Sequence, residues 1–345
     1  MNYVQKIVFG SPGTGKSHYI DNTLLPSLGI DVVNDPDNVV KAVFHPEYTY
    51  GDFMVKVVPS SVEQKVIYKQ HVGHFIKALS RAYKNIAEAH DKSGKQVADV
   101  KNVALVIDEI NRGNSSAIFG TIFQLLDRDR DGWSSYYVSL NQMEFDVLME
   151  LMGVDRVQKR KNSDVVEYRI EGKMDYTNLE NFQSKVPYLR TNFATSSVRI
   201  PFNMSIIGTM NTSDNSIYYM DSAFKRRWEW EYMPVDAGAD NESRRLEYKN
   251  IPWCDFQSKL NDFIRTNSRY IRGAEDKQIG LHYIPISYNP IPTSQIKNKL
   301  MFYLWDSVFS RDKRPLRELL GTEDVVVFGQ FANNVELFID SITGR

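Results

Sequence analysis

The segment Gly10-Ser-Pro-Gly-Thr-Gly-Lys-Ser17 follows the apolar run Val4 to Phe9 and opens a helical pattern at Lys16. Few sequence features constrain a fold so tightly. The pattern G-x-x-x-x-G-K-[ST] between a strand and a helix is a phosphate-binding loop. Its glycines let successive backbone N–H groups converge on an anion, and the helix start adds the positive end of its dipole. Gly10, Ser11, Pro12, Gly13, Thr14 and Gly15 are expected to wrap a triphosphate. Lys16 is expected to reach the β- and γ-phosphates, and the Ser17 hydroxyl to ligate Mg²⁺. A chance Gly-rich turn lacks the flanking strand and helix.

The rest of the chain supplies the sheet such a loop needs. Val39 to Phe44, Val103 to Ile107 and Met204 to Gly208 are short apolar runs, which with Val4 to Phe9 read as four strands of a buried parallel sheet. Helical patterns lie between them at Lys16 to Leu28, Tyr68 to Ala89 and Ser115 to Leu126. This alternation predicts an α/β fold: a P-loop three-layer sandwich with a parallel central sheet. The charged stretch after Asp127 breaks the pattern until Met204. Residues from about 130 to 200 therefore read as an insertion, with a helix near Gln142 to Met152 and a short strand at Val165 to Ile170. A chain of 345 residues is expected to form more than one core. We assign residues 1–234 to the NTPase core and 235–345 to a smaller helical C-terminal lid. Its helices are predicted around Glu242 to Tyr248, Trp253 to Asn267, Lys297 to Phe309 and Val325 to Ile342.

The run Val103-Ala-Leu-Val-Ile ends in Asp108 and Glu109, where the carboxyl end of a parallel strand meets the nucleotide site. Asp108 is expected to hold Mg²⁺, and Glu109 to polarise the attacking water. Met204 to Asn211 is another apolar strand, ending in an amide suited to hydrogen-bond that water or the γ-phosphate. Lys225-Arg226-Arg227 closes a short helical pattern. Such a cluster reads either as a solvated helix end or as an arginine finger offered to a neighbouring subunit's nucleotide. We take Arg226 and Arg227 together as finger candidates.

Several motifs resemble the McrB family of AAA+ motors: Phe44-His-Pro-Glu-Tyr-Thr-Tyr-Gly-Asp-Phe53, Ile107-Asp-Glu-Ile-Asn-Arg-Gly-Asn114, Ile206 to Asp214 and Asp221-Ser-Ala-Phe-Lys-Arg-Arg-Trp228. Lys277 to Gly280 and Leu304 to Phe309 are similar to that family's lid. The resemblance implies a hexameric ring, hydrolysis of GTP or ATP with Mg²⁺, a docking nuclease partner of the McrC type, and action on DNA within a restriction system. It gives Asn211 and Asp214 nucleotide-site and partner-sensing roles, with Asn215 standing where the family has Arg. The insertion is longer than the family leads one to expect, and with a strand pattern starting at Val4 no reader of modified DNA is expected ahead of it. The alternative is a MoxR- or chaperone-like AAA+ ATPase that remodels protein complexes. A third reading is a switch that binds nucleotide and hydrolyses it slowly.

Balanced charge sharpens the choice only slightly. Forty-two Lys and Arg face 43 Asp and Glu, so any contact with DNA is expected to be local or supplied by a partner. Cys254 is the only cysteine, and no apolar run reaches the length of a membrane helix, so a cytoplasmic location with no membrane contact is expected. His71 and His74, three apart, read as a surface or satisfied pair rather than a metal site. Phe44, Tyr48, Tyr50 and Phe53 read as packing aromatics, and Lys159-Arg-Lys161 as solvated charges.

Overall fold

A computed structural model describes residues 3–62, 65–158, 166–212, 218–239, 242–322, 325 and 327–345. In chain order its strands are β1 (Gln5–Gly10), β2 (Val39–Val43), β3 (Val55–Val62), β4 (Lys65–Val72), β5 (Val103–Asp108), β6 (Val138–Ser139), β7 (Val154–Gln158), β8 (Val166–Ile170), β9 (Met174–Asn178), β10 (Ser197–Val198), β11 (Met204–Asn211) and β12 (Glu229–Tyr232). The central sheet has the order β12-β1-β11-β5-β2. From β1 the chain winds to the far edge at β2, steps back through β5 and β11, and finishes beyond β1 at β12. That reversal places β1 at a switch point, where α/β sheets bind their ligands beyond the carboxyl ends of the strands.

β5 pairs in parallel with both β2 and β11, and every residue from Val103 to Ile107 is buried. A strand covered on both faces by this geometry must be a continuous apolar run, which is what its sequence is. Residues 16–27 form one helical run with a π turn over Ile20–Leu24. Helix His74–Glu88 buries Phe75, Ile76, Leu79, Ala82, Tyr83 and Ile86, the stripe its periodicity announces. The fold is α/β, a parallel central sheet with the phosphate-loop motif following β1, and a helical C-terminal region.

The structure corrects several local expectations. A fifth strand, β12, joins the four expected; its Glu-Trp-Glu-Tyr sequence is short, charged and on an edge, so it lacks an apolar signature. Tyr68 lies in β4 rather than in a helix, because Gly73 ends the strand and helix His74–Glu88 starts after it. β3 and β4 form an antiparallel ribbon that the sequence reading did not foresee. The Ser115 to Leu126 helix becomes an α-helix only as far as Phe119, then tightens to 3-10 turns at Gly120, whose φ is +48°. Residues 242–247 form no helix, and only a 3-10 turn over Tyr248–Asn250 follows them: Arg245 bridges Pro252 and Leu246 bridges Ile291. The last helical pattern splits at Asn334 into Phe328–Asn333 and Val335–Thr343.

The chain falls into two compact units. The first comprises Met1–Ile7, Ser17–Met210 and Ser216–Trp230, and the second Val8–Lys16, Asn211–Asn215 and Glu231–Arg345. Within the first, the insertion builds its own small core. Helix Gln142–Met152 is closed by an Asn141/Glu144 capping box, β7-β8-β9 form an antiparallel sheet, and the rings of Phe145, Tyr168, Phe182 and Phe193 meet edge to face or tilted. The core of the second unit is helical, with Trp253, Phe256, Leu260, Leu304, Phe331 and Phe338 fully buried. Among the described residues, no helix is long and apolar enough to cross a membrane.

Candidate nucleotide site

In the second unit the phosphate loop is held from outside by the segment Gly280 to Tyr283. The Gly280 amide donates to the Pro12 carbonyl (2.9 Å) and the His282 amide to the Gly13 carbonyl (2.8 Å). With these carbonyls turned toward the lid segment, amides are the groups the loop can offer an anion. Gly13 and Gly15 have φ of +79° and +83°, a region open to glycine. The approach is equally demanding: a Cβ on Gly13 would sit 2.4 Å from the Tyr283 nitrogen, and one on Gly15 would sit 2.8 Å from the His282 ring.

Lys16 is buried, and its Nζ donates to the carbonyls of Gly10 and Ser11 (3.0 Å each) and to Oδ1 of Asn211 (2.7 Å). Thr14 Oγ1 donates to the Ser11 carbonyl at 3.0 Å, closing the loop on itself. Thus two residues predicted from motifs 195 positions apart meet directly. The strap itself is fixed by buried polar side chains that sequence reasoning missed. Arg244 donates to the carbonyls of Leu281, Ile284 and Pro285. Gln257 and Asn261 both donate to the Ile279 carbonyl, and Asn261 accepts from the Ile279 amide in return. Arg244 is itself paired with Glu242 at 2.5 Å. The Arg244 guanidinium helps hold the Glu242 carboxyl below its ordinary range, against burial, which pushes it up more strongly than any single partner lowers it.

In the first unit, the parallel register that sets Gly208 against Ile107 brings Thr209 level with Asp108. Thr209 Oγ1 donates to Asp108 Oδ1 (2.9 Å) and accepts from the Glu109 amide (3.1 Å). One buried hydroxyl therefore orients both acidic residues. Glu109 has φ of +55°, a left-handed conformation uncommon for a side chain of its length and of the kind that gathers at functional sites. Thr209 was not singled out by the sequence reading; a lone hydroxyl inside an apolar strand, two residues before Asn211, was the available signal. Ser17 occupies the first turn of the helical run and is exposed. Ser17 and Asp108 offer a hydroxyl and a carboxylate, hard oxygen donors suited to Mg²⁺. Among the described residues no cluster of three or more His, Cys, Asp or Glu could hold a metal alone.

The two arginines differ. Arg227 is drawn inward: it pairs with Asp127 (2.7 Å), donates to the Ala223 carbonyl and stacks over Phe123 at 4.0 Å, with its side chain only 8% exposed. Arg226 is exposed. Their helix, Ser222–Lys225, is capped by Asp221, which accepts from the Phe224 amide; that bond, the largest influence on it, holds its carboxyl below the usual range. Asp214 and Asn215 fall outside the described residues, as do Lys159, Arg160 and Lys161. His71 lies on β4 and His74 opens the following helix, so they do not share a helix face; His74 Nδ1 instead meets the Tyr48 hydroxyl at 2.7 Å. Phe44, Tyr48 and Phe53 are buried against one another, the packing role expected of them.

No family model matches the chain. It is 27% identical over 338 residues to the type II restriction enzyme BsuMI component YdiS of Bacillus subtilis (strain 168), covering 89% of this chain and 80% of that protein. It is 25% identical over 239 residues to the type IV methyl-directed restriction enzyme EcoKMcrB subunit of Escherichia coli (strain K12), covering 69% of this chain and 37% of that one.

Proposed function

We propose that the chain is an McrB-like AAA+ NTPase and the nucleotide-hydrolysing motor subunit of a restriction system, a reading supported by its likeness to two restriction-enzyme components. It assembles as a ring, a hexamer by the resemblance, and works in the cytoplasm with an McrC-like nuclease on DNA. Its nucleotide is GTP or ATP. The observation that carries the reading is the convergence of Lys16 on Asn211 at the mouth of a glycine loop, in a chain whose second acidic motif is oriented by Thr209.

In the proposed cycle the loop amides of residues 10–15 bind the triphosphate. Lys16 leaves its loop carbonyls for the β- and γ-phosphates while Asn211 keeps its hold on the ammonium or on the attacking water. Ser17 and Asp108 would hold Mg²⁺, which when bound would neutralise charge on the phosphates. Glu109 orients the attacking water and draws off its proton. Arg226 of a neighbouring subunit meets the charge that develops on the transferring phosphoryl group, whereas Arg227 holds the helix in place. Asp214 carries the nucleotide or partner contact implied for its loop.

The test is a pair of variants. Glu109→Gln retains triphosphate binding and loses turnover by roughly 10²–10⁴-fold. Lys16→Ala loses triphosphate binding itself. Turnover by Glu109→Gln at the parental rate would remove the proposed chemistry.

A further inference from the structure

β3 and β4 make a two-stranded ribbon of eight residues each between β2 and helix His74–Glu88. The first seven residues of β4 could not be more different from a core strand, for Lys65 through His71 are all exposed. Such a ribbon is marginally stable alone, so its retention as regular structure calls for a use.

Its side chains are sorted. Directly paired residues share a face, and alternate residues of one strand share it too. The register Lys56 with His71, Val58 with Lys69 and Ser60 with Ile67 puts Lys56, Lys65, Lys69 and His71 on one face. The pairs Val57 with Gln70, Pro59 with Tyr68 and Ser61 with Val66 form the other. Every basic residue of the ribbon therefore points one way, while Val57, Val66 and the 75%-exposed Tyr68 point the opposite way. Lys56 pairs with Asp52 at the base. Lys65 and Lys69 form no ion pair among the described residues, and Glu63 is the only acid in the ribbon's sequence. A chain of net charge -1 has thus concentrated cations on one face of a projecting element.

We propose that this face of the ribbon docks on the phosphate backbone of duplex DNA, with Lys65 and Lys69 as its principal contacts. The inference rests on the restriction-motor reading and names the element that touches its substrate. Two strands about 4.8 Å apart fit a major groove about 12 Å wide. A single strand fits less well: bases stacked on Tyr68 would lie on the face opposite the lysines, whereas single-strand sites combine aromatics and cations in one groove.

The experiment measures binding of the whole chain to a short labelled duplex by fluorescence anisotropy, from 50 to 200 mM salt, for the parent, Lys65→Gln/Lys69→Gln and the opposite-face control Val66→Thr. Each neutralised phosphate contributes about -0.9 to the slope of log K against log salt, so losing two flattens it by about 1.8. Across that fourfold salt range the parent should lose about 12-fold more affinity than the double variant. Val66→Thr should keep the parental slope, and nucleotide turnover without DNA should be parental in both, because neither touches the nucleotide site. Equal slopes for parent and double variant overturn the docking proposal alone. A parent that hydrolyses nucleotide yet binds no duplex overturns it together with the DNA reading, and absent hydrolysis in the parent defeats the motor reading by itself. Loss of self-association by the double variant, with unchanged DNA binding, would reassign the face to a contact between copies of this chain.

Discussion

Replacing Thr209 with valine isolates the hydroxyl that ties the acidic motif to its neighbouring strand. Valine fills nearly the same space, so the effect is that of two lost hydrogen bonds, one to Asp108 Oδ1 at 2.9 Å and one from the Glu109 amide at 3.1 Å. A bond to a charged acceptor is worth about 1.5–3 kcal/mol and a neutral one about 0.5–1.5 kcal/mol. Asp108 is only partly buried, so water recovers some of the first, and a total near 2 kcal/mol follows. Glu109 also stands in a left-handed conformation that costs about 1–2 kcal/mol, and the lost amide bond frees that turn to relax. If the 2 kcal/mol reappears in the barrier, single-turnover hydrolysis slows by about 30-fold, at 1.36 kcal/mol per decade. Triphosphate binding, which rests on the loop and Lys16, should be unchanged. Thr209→Ser keeps the hydroxyl and should stay within about threefold of the parent. Equal hydrolysis rates for the valine and serine variants would refute the assignment, as would a valine variant that loses nucleotide binding instead of rate.

Arg226→Ala should leave the urea midpoint in place and slow hydrolysis by about 10³-fold or more, the scale of a finger supplied in trans; mixing it with Glu109→Gln subunits should restore part of the activity. Arg227→Ala should do the reverse, lowering stability by about 2 kcal/mol through the stranded Asp127 and the lost stacking on Phe123, which denaturant unfolding reads directly. Burial depresses the pKa of His74, so the folded protein favours its neutral form. The sign follows from proton counting: below about pH 6.5 the unfolded chain takes up the proton first, and stability declines as pH falls through that value until the folded pKa is passed. His74→Gln should remove this part of the decline, seen as a smaller shift of the urea midpoint between pH 7.5 and 5.5.

What the sequence disclosed follows from how far apart the cooperating residues stand. Gly10 to Ser17 is legible because all its requirements are local: a strand before it, a helix after it, and glycines where φ turns positive. The buried runs at β5 and β11 are legible because a strand covered on both faces has no room for polar alternation. Thr209 is not, since its partner lies 101 residues away and only the register of two parallel strands sets them level. The ribbon was hidden by a periodicity that is real after Gly73 and was extended backward through it, although Lys65 to Val72 carries the β-branched and aromatic residues of a strand.

The strap beneath the loop shows the same limit most clearly. Arg244, Gln257 and Asn261 look in sequence like the solvated faces of lid helices, yet all three are buried and spend their donors on carbonyls between Ile279 and Pro285. Buried polar groups are stable only when so satisfied, and satisfying them fixes the backbone they bond. That backbone is the one whose amides at Gly280 and His282 hold Pro12 and Gly13. The phosphate loop therefore has a shape set partly by residues more than two hundred positions downstream, and a substitution such as Asn261→Leu is expected to weaken triphosphate binding, as a nucleotide titration would read, from a position outside the loop. The loop motif can be read from eight residues, but its rigidity belongs to the fold of the whole second unit.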